Sequence, residues 1–533
     1  MITVNQAGYE ASGVKHATAS GNAEWKLFTS LDKLVLEGTV RLVNDDNSGE
    51  EAGIIDFSSV TGMGRYYFSD DEGNRSPGFY IGKKVYDGVL ETAARMYYFQ
   101  RCGMELEEKY AGKFTHKACH CVKGTMLDDP SRSIDISGGW HDAGDYGRYV
   151  TAAAVALGHL LYGFIFAPAP LEGLGLNIPE SGEEMPDLLS ECRYELDWIL
   201  KMQEEDGGVH HKATSWHFPE FIMPEEDDLD IVITPVSSLA TADLAAVCAL
   251  ASRVYRKYDE AYADKLKKAA FKAADWLERN PGFIYENPTE VHTGTYEDLC
   301  DADERLWAAA ELFLAGDEDR QLAVMRQILE IKISTVSLGW ADVGGFASMC
   351  VLDAGKEVFP EDIYMKLKGR WLDEADRLMN LAASNPYELA MKPYDFIWGS
   401  NMVVCCNAMV LCVAHFLTGD DKYLESAGYQ LDYIFGRNAM DMSYVTGVGE
   451  RAFRNPHNRP TVADGIDEPI PGYLSGGPNF RAGDTKANEE KLGGQAPMKW
   501  FVDDWMSYCT NEITIYWNSP LIFTLAYIME KKG

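Results

Sequence analysis

The sequence predicts a two-part chain, a small β domain followed by a much larger, all-helical one. Two observations carry that reading. Through roughly the first 80 residues, apolar and polar positions alternate in short runs broken by turns, which is the period of half-buried strands. From Val85 onward the apolar positions recur at helical spacing, as in Leu189, Cys192, Leu196, Ile199 and Leu200. The length agrees: at roughly 150 residues per domain, 533 residues leave room for several domains and a large core.

The strand signals are Trp25-Lys26-Leu27-Phe28, Lys33-Leu34-Val35-Leu36, Gly53-Ile54-Ile55-Asp56-Phe57 and Arg65-Tyr66-Tyr67-Phe68. The boundary falls between Phe79 and Lys84, giving a β domain over 1–83 and a helical domain over 84–533. About a dozen helices follow, over 87–100, 149–164, 187–203, 237–257, 260–279, 303–315, 318–332, 345–354, 362–383, 401–417, 421–435 and 518–530. Asn401 to Leu417 is apolar nearly all round and belongs inside. Asp421 to Phe435 carries Leu424, Tyr429, Leu431 and Ile434 on one stripe and belongs outside. Alternating inner and outer helices are what a closed double ring of helical hairpins requires, and a solenoid satisfies the same periodicity. Between Asn438 and Asp503 the pattern lapses into Gly, Pro and Asn, and loops of that length in a compact domain are usually functional.

Composition narrows the partners. With 48 Lys+Arg against 83 Asp+Glu the net charge is −35, which argues against nucleic acid and anionic membranes, because both need a cationic face. Aromatic residues at 12% and hydrophobic residues at 46% belong to a globular protein. Eleven scattered cysteines, with Cys405 and Cys406 adjacent, suit a reducing or anaerobic setting better than a disulfide framework. Met1 to Gln6 has no basic segment leading into an apolar one, so the expectation is a cytoplasmic protein or one secreted after processing. The longest apolar stretch, Thr151 to Ala167, is interrupted by His159, is short for a membrane span and reads as a buried helix.

Two segments carry acid–base potential. Ser137-Gly138-Gly139-Trp140-His141-Asp142-Ala143-Gly144-Asp145 sets two carboxylates three residues apart on a glycine-flanked turn, where both can enter one cleft, although turn or cap residues share this pattern. Glu512, close to Tyr508 and followed by an apolar helix, can be partly buried and hold its proton as an acid must, the alternative being a solvated surface glutamate. Cys102, Cys119, His120 and His141 form a plausible Cys2His2 set, since thiolate and imidazole suit tetrahedral zinc, and buried free cysteines give the same pattern; Cys121 reads as a bystander. Glu225-Glu226-Asp227-Asp228 reads as a solvated face. Trp140, Trp216, Trp340, Trp398 and Tyr508 are candidates for the walls of a binding cleft or for the core. The chain lacks His-Glu-x-x-His, Gly-x-Ser-x-Gly and Gly-x-Gly-x-x-Gly, which removes the footing of zinc-protease, serine-hydrolase and dinucleotide readings; no organic cofactor is expected.

Asp142-Ala143-Gly144-Asp145, Asn455-Pro456-His457-Asn458-Arg459-Pro460, Gly476-Gly477-Pro478-Asn479 and Tyr508-Cys509-Thr510-Asn511-Glu512 resemble the signature blocks of the family 9 glycoside hydrolases, the inverting cellulases. Trp398-Gly399-Ser400-Asn401 and Pro186-Asp187-Leu188-Leu189 resemble further blocks, in the same order, along essentially the whole chain. Val4-Asn5-Gln6-Ala7-Gly8-Tyr9 is similar to the start of the immunoglobulin-like domain found in one branch of that family. The resemblance implies an immunoglobulin-like β-sandwich followed by an (α/α)6 barrel. It implies that Asp145 is the general base, that Asp142 helps hold the water and that Glu512 is the general acid. An inverting enzyme needs acid and base roughly 6.5 to 9.5 Å apart, with room for a water opposite the leaving group. His457 and Arg459, beside an Asn458 where the family often has a second histidine, would hydrogen-bond sugar hydroxyls, with Trp398 and Tyr508 lining the subsites.

The resemblance also favours a structural zinc on Cys102, Cys119, His120 and His141. It suggests a calcium on Asp303, Glu304 and Asp342, where a solvated acidic loop capping a helix is the alternative. The implied activity is cleavage of β-1,4-glucosidic bonds in cellulose-type glucans or cello-oligosaccharides, endoglucanase-like. An exo-acting cellodextrinase, β-glucosidase or exo-β-glucosaminidase of the same family, and a catalytically idle glycan-binding protein, are the competing readings.

Overall fold

Alternation in the first part of the chain becomes two sheets. One runs in the order Ile2–Thr3, His16–Ser20, Glu50–Asp56, Val43–Asp45, all antiparallel. The other runs Tyr9–Glu10, Phe79–Gly82, Gly64–Asp70, Glu24–Thr29, Leu34–Thr39, antiparallel except where Tyr9–Glu10 lies parallel to Phe79–Gly82. Their inward faces meet in one core: Ala17, Ala19, Ile55 and Phe57 from the first sheet and its end pack on Trp25, Leu27, Phe68, Phe79 and Ile81 from the second. Edge-on ring contacts such as Tyr9–Phe57 (5.0 Å) and Phe57–Phe68 (5.2 Å) fix this β-sandwich.

The computed structural model describes residues 1–481, 483–490 and 492–532. The chain divides into two compact units, Met1–Met96 with Ala375–Gly533, and Tyr97–Glu374. In the first unit the sandwich is joined to the C-terminal helical segment by buried polar side chains. Asn5 donates to Asp432 (2.8 Å), Arg437 donates to Thr18 (3.1 Å) and to Glu388, and His16 meets the same Glu388 carboxylate at 2.8 Å while stacking on Tyr429. The backbone N–H of Arg451 donates to the Gln6 side chain (2.8 Å). Ser400–Thr418 packs on Asp421–Ile434 and on Ile515–Lys532, and the latter closes onto Asp87–Ala94. Ser400–Thr418 is long and apolar enough to cross a membrane, and 61% of its window is buried inside the protein.

In the second unit Val150–Phe166, Ser238–Tyr255, Ala302–Leu314 and Gly344–Ala354 are buried on nearly every face and pack in sequence, while Glu260–Arg279 and Glu318–Ile328 turn one apolar stripe onto them. His159 sits in the innermost helix as a neutral ring, since burial pushes its pKa down to about 3. Each of the dozen expected helical stretches overlaps an observed helix. Strands within this unit were not expected: Ser133–Asp135, Lys123–Met126, Ile231–Ile233, Lys212–Ser215 and Arg148–Tyr149 form a five-stranded sheet of pieces two to four residues long.

Candidate active site

In the second unit, residues 100–102 and 139–141 lie side by side: Cys102 N–H donates to Gly139 (2.8 Å) and His141 N–H to Gln100 (2.7 Å). Gly138 and Gly139 both have positive φ, and a Cβ on Gly139 would sit 2.7 Å from the Trp198 ring, so the turn needs glycine there. The Gln100 amide donates to the carbonyls of His141 and Ala143 (2.9 Å each), and buried Arg148 donates to those of Ile136 and Gly138. The turn so held delivers Asp142 and Asp145 side by side in a buried setting. Asp145 accepts from Gly147 N–H (3.0 Å) and from the Tyr149 hydroxyl (3.4 Å). Asp142 accepts from the Tyr296 hydroxyl on one oxygen; its other oxygen is buried with no hydrogen-bond partner among the described residues. Burial, then the charge of Asp145, pushes the Asp142 carboxyl well above its ordinary range, against the bond from Tyr296. Tyr296 has φ of +45°, a strained conformation for an aromatic residue.

The same turn carries His141, whose ligand nitrogen gathers with those of His120 and the sulfurs of Cys102 and Cys119 within 4.8 Å of one another, all four side chains buried. The set fits a metal ion. His120 Nδ1 is buried without a hydrogen-bond partner among the described residues, while its Nε2 lies 3.2 Å from Asp227, the arrangement by which a carboxylate orients a ligating imidazole. Asp227 is therefore no member of a solvated face: its side chain is 5% exposed. Against burial, hydrogen bonding from Cys119 and the charges of Arg148 and His141 hold the Cys102 thiol below its usual range.

In the first unit, the segment ending at Glu512 is built on a loop. Ser400 donates to Pro478 (2.7 Å) and Asn401 to Ser475 (3.0 Å), tying the start of Ser400–Thr418 to residues 475–478. That loop in turn donates from Gly476 N–H to the Glu512 carbonyl (2.8 Å) and from Gly477 N–H to that of Thr510 (3.0 Å). Cβ atoms on Gly476 and Gly477 would lie 2.9 Å from Trp517 and 2.5 Å from Asn401, which explains the paired glycines. His457 N–H donates to the Asn511 carbonyl (2.9 Å), and its ring meets the Trp505 carbonyl at 2.6 Å. Asn458 caps Arg459–Ala463 by accepting from Thr461 N–H, so this position serves the backbone. Beside Glu512, Tyr508 (41% exposed) packs against Trp398 (49% exposed) at 5.5 Å and against His457 at 5.9 Å, an open aromatic wall; Arg459 is buried.

The other sequence candidates divide. Asp303 and Glu304 converge with Asp298, their oxygens within 4.8 Å, whereas Asp342 lies outside that group and accepts from Gly344 N–H (3.4 Å) just before the next helix. Glu304 Oε2, Asp298 Oδ2 and Asp243 Oδ1 are buried without partners among the described residues, and burial, with the neighbouring Asp342 charge, holds Asp303 up at about 6, the electrostatics a divalent cation relieves. Trp140 is a core residue, its indole N–H on Glu191 and its ring on Tyr97 (4.4 Å), which removes it as a sugar platform. Trp216 is part-exposed, and Trp340 packs edge-on against Tyr296. Tyr149, Tyr296 and Asp227 were not found from the sequence, since none has a local spacing that marks it.

Residues 86–525 match glycosyl hydrolase family 9, and residues 1–74 match the cellulase N-terminal immunoglobulin-like domain. A cellodextrinase of Butyrivibrio fibrisolvens is 40% identical over 550 residues, spanning 99% of this chain and 100% of the relative. Among solved structures, a single mutant of a thermostable endoglucanase from Alicyclobacillus acidocaldarius superposes with a TM-score of 0.92 at 35% identity over 99% of each chain. A Zn-binding triple mutant of the family 9 endoglucanase J30 superposes with a TM-score of 0.91 at 33% identity, covering 97% of this chain and 99% of that one. The chain thus has an immunoglobulin-like domain followed by a helical (α/α)6-barrel domain that also carries short strands, and it belongs to glycosyl hydrolase family 9.

Proposed function

We propose that this glycoside hydrolase cleaves β-1,4-glucosidic bonds of cellulose-type glucans and cello-oligosaccharides with inversion. The observation that carries the reading is the buried Asp142–Asp145 pair on one glycine-built turn, each carboxylate bonded to a phenol and one Asp142 oxygen left without a partner. Asp145 acts as general base: it takes a proton from water while the water oxygen forms the new bond to the anomeric carbon. Asp142 holds that water through its unpartnered oxygen. Glu512 gives its proton to the departing glycosidic oxygen as the old bond breaks. Trp398 and Tyr508 supply rings on which the apolar faces of sugars stack, and His457 and Arg459 hydrogen-bond sugar hydroxyls.

Zinc on Cys102, Cys119, His120 and His141, a closed set of soft donors, would supply rigidity to the turn. A calcium on Asp298, Asp303 and Glu304 would neutralise the acidic cluster. The boundary at 83/84 separates the sandwich from the catalytic domain in this reading.

Proton NMR of cellopentaose hydrolysis tests the stereochemistry: the α-anomer is expected first, and initial release of the β-anomer would sink the assignment. Glu512→Gln is expected to lose about 10²–10⁴-fold in kcat on cellopentaose and to recover much of it on an aryl cellobioside whose leaving group needs no proton, whereas Asp145→Asn stays slow on both. An unchanged rate in Glu512→Gln would instead remove Glu512 as the acid, and the absence of any turnover by the wild-type chain would point to a glycan-binding protein. The similarity to a cellodextrinase supports a second reading, exo-attack on short soluble chains. Rapid viscosity loss on carboxymethylcellulose relative to reducing-end release would exclude it.

A further inference from the structure

Lys212 is a fully buried lysine with no part in the chemistry described above. It lies on Lys212–Ser215, which pairs with Arg148–Tyr149 so that Lys212 stands opposite Tyr149. Its ammonium lies 5.7 Å from the centre of the Tyr149 ring, whose hydroxyl reaches Asp145. The same ammonium donates to the Gly294 carbonyl at 2.7 Å, two residues before Tyr296, whose hydroxyl reaches Asp142. The strand holds this loop at neighbouring points as well. Thr214 donates to Thr293 (3.0 Å), and the His211 ring meets the Thr295 carbonyl at 3.2 Å. The two phenols pack together at 4.8 Å, 51°.

A strained residue persists only where its surroundings over-determine it, and Tyr296 follows directly on this stapled stretch. We propose that Lys212 is a positioning residue for the hydrolytic site, its buried ammonium tethering the Gly294–Tyr296 loop to the strand beside Tyr149 and so setting both phenols on the two aspartates. This inference rests on the reading of Asp145 as base. Burying a cation is costly unless it is compensated, and here Asp145 is the compensating charge: burial lowers the lysine to about 8, and Asp145 acts to raise it. Lys212 touches no open surface, so its loss should misplace the reacting groups without weakening sugar binding.

The test uses the full chain as Lys212→Met, which keeps an unbranched stem, Tyr296→Phe, the double variant, and Asp145→Asn as a control. For Lys212→Met on cellopentaose kcat is expected to fall about 10- to 100-fold with KM within about threefold of wild type. In the Tyr296→Phe background the same substitution should cost only a few-fold, because contacting groups that act through one another are not additive. The proposal is overturned if Lys212→Met keeps kcat within about twofold, or if its effect is as large with Tyr296 absent as with it present. Should Lys212→Met not fold, Lys212→Leu, which also lacks a donor, carries the same expectation, and a failure of both to fold assigns the lysine to stability alone and overturns the proposal too. Full activity in Asp145→Asn would refute the base assignment by itself, a result separate from any of these.

Discussion

Asp441 shows how one side chain ties stability to pH. Burial outweighs Arg451 and holds its carboxyl at about 7, with one oxygen buried and unpartnered. A carboxyl that binds its proton more tightly folded than unfolded contributes stability fully at low pH, and that contribution is lost as pH rises through the folded value. Asp441→Asn removes the group, so its melting temperature should depend less on pH between about 5 and 8 than that of wild type, with the relative advantage growing toward pH 8. Parallel melting curves for the two proteins would show that Asp441 does not titrate in this window. The three acidic residues proposed for the mechanism stand in local patterns visible in the sequence, two on a glycine turn and one in a Tyr-Cys-Thr-Asn-Glu block. Tyr296 and Lys212 do not, because what distinguishes each is a partner far away in sequence, Asp142 for one and Gly294 for the other.

At the level of elements, the segment bearing Glu512 depends on the start of a helix more than a hundred residues earlier in the chain. Ser400 and Asn401 grip the 475–478 loop, and the loop's N–H groups grip Thr510 and Glu512. Gly477 has φ of +89° and no space for a Cβ, so Gly477→Ala should cost about 1–3 kcal/mol in urea unfolding and lower kcat along with it. An alanine variant with wild-type stability would show that the loop relaxes at no cost. Metal removal belongs to this scale too. A chelator that strips Cys102, Cys119, His120 and His141 should lower kcat and the melting temperature together, and re-addition of zinc should restore both. The helices were readable because each is long enough for its apolar stripe to repeat. The five-stranded sheet was not, since strands of two to four residues are too short to establish an alternation.

For the molecule as a whole, the break between strand-like and helix-like periodicity near residue 84 was plain in the sequence, but nothing there showed how tightly the sandwich is bonded to the C-terminal helical segment. Asn5, Thr18, Arg437 and Asp432 are all buried at that seam, and removing one side leaves polar groups of the other unpaired. Residues 84–533 expressed alone should aggregate or melt without cooperativity in calorimetry; a soluble fragment with the wild-type transition would count against this. The closing helix, Ile515–Lys532, returns to the beginning of the helical chain, where Asn518 donates to Ala93 (3.2 Å) and Gly472 (2.6 Å). A surface can be covered only once its partner segment has been made, so the first helix keeps that face open until residues 515–532 have left the ribosome. A product cut short before residue 515 is therefore a natural client for chaperones and proteases.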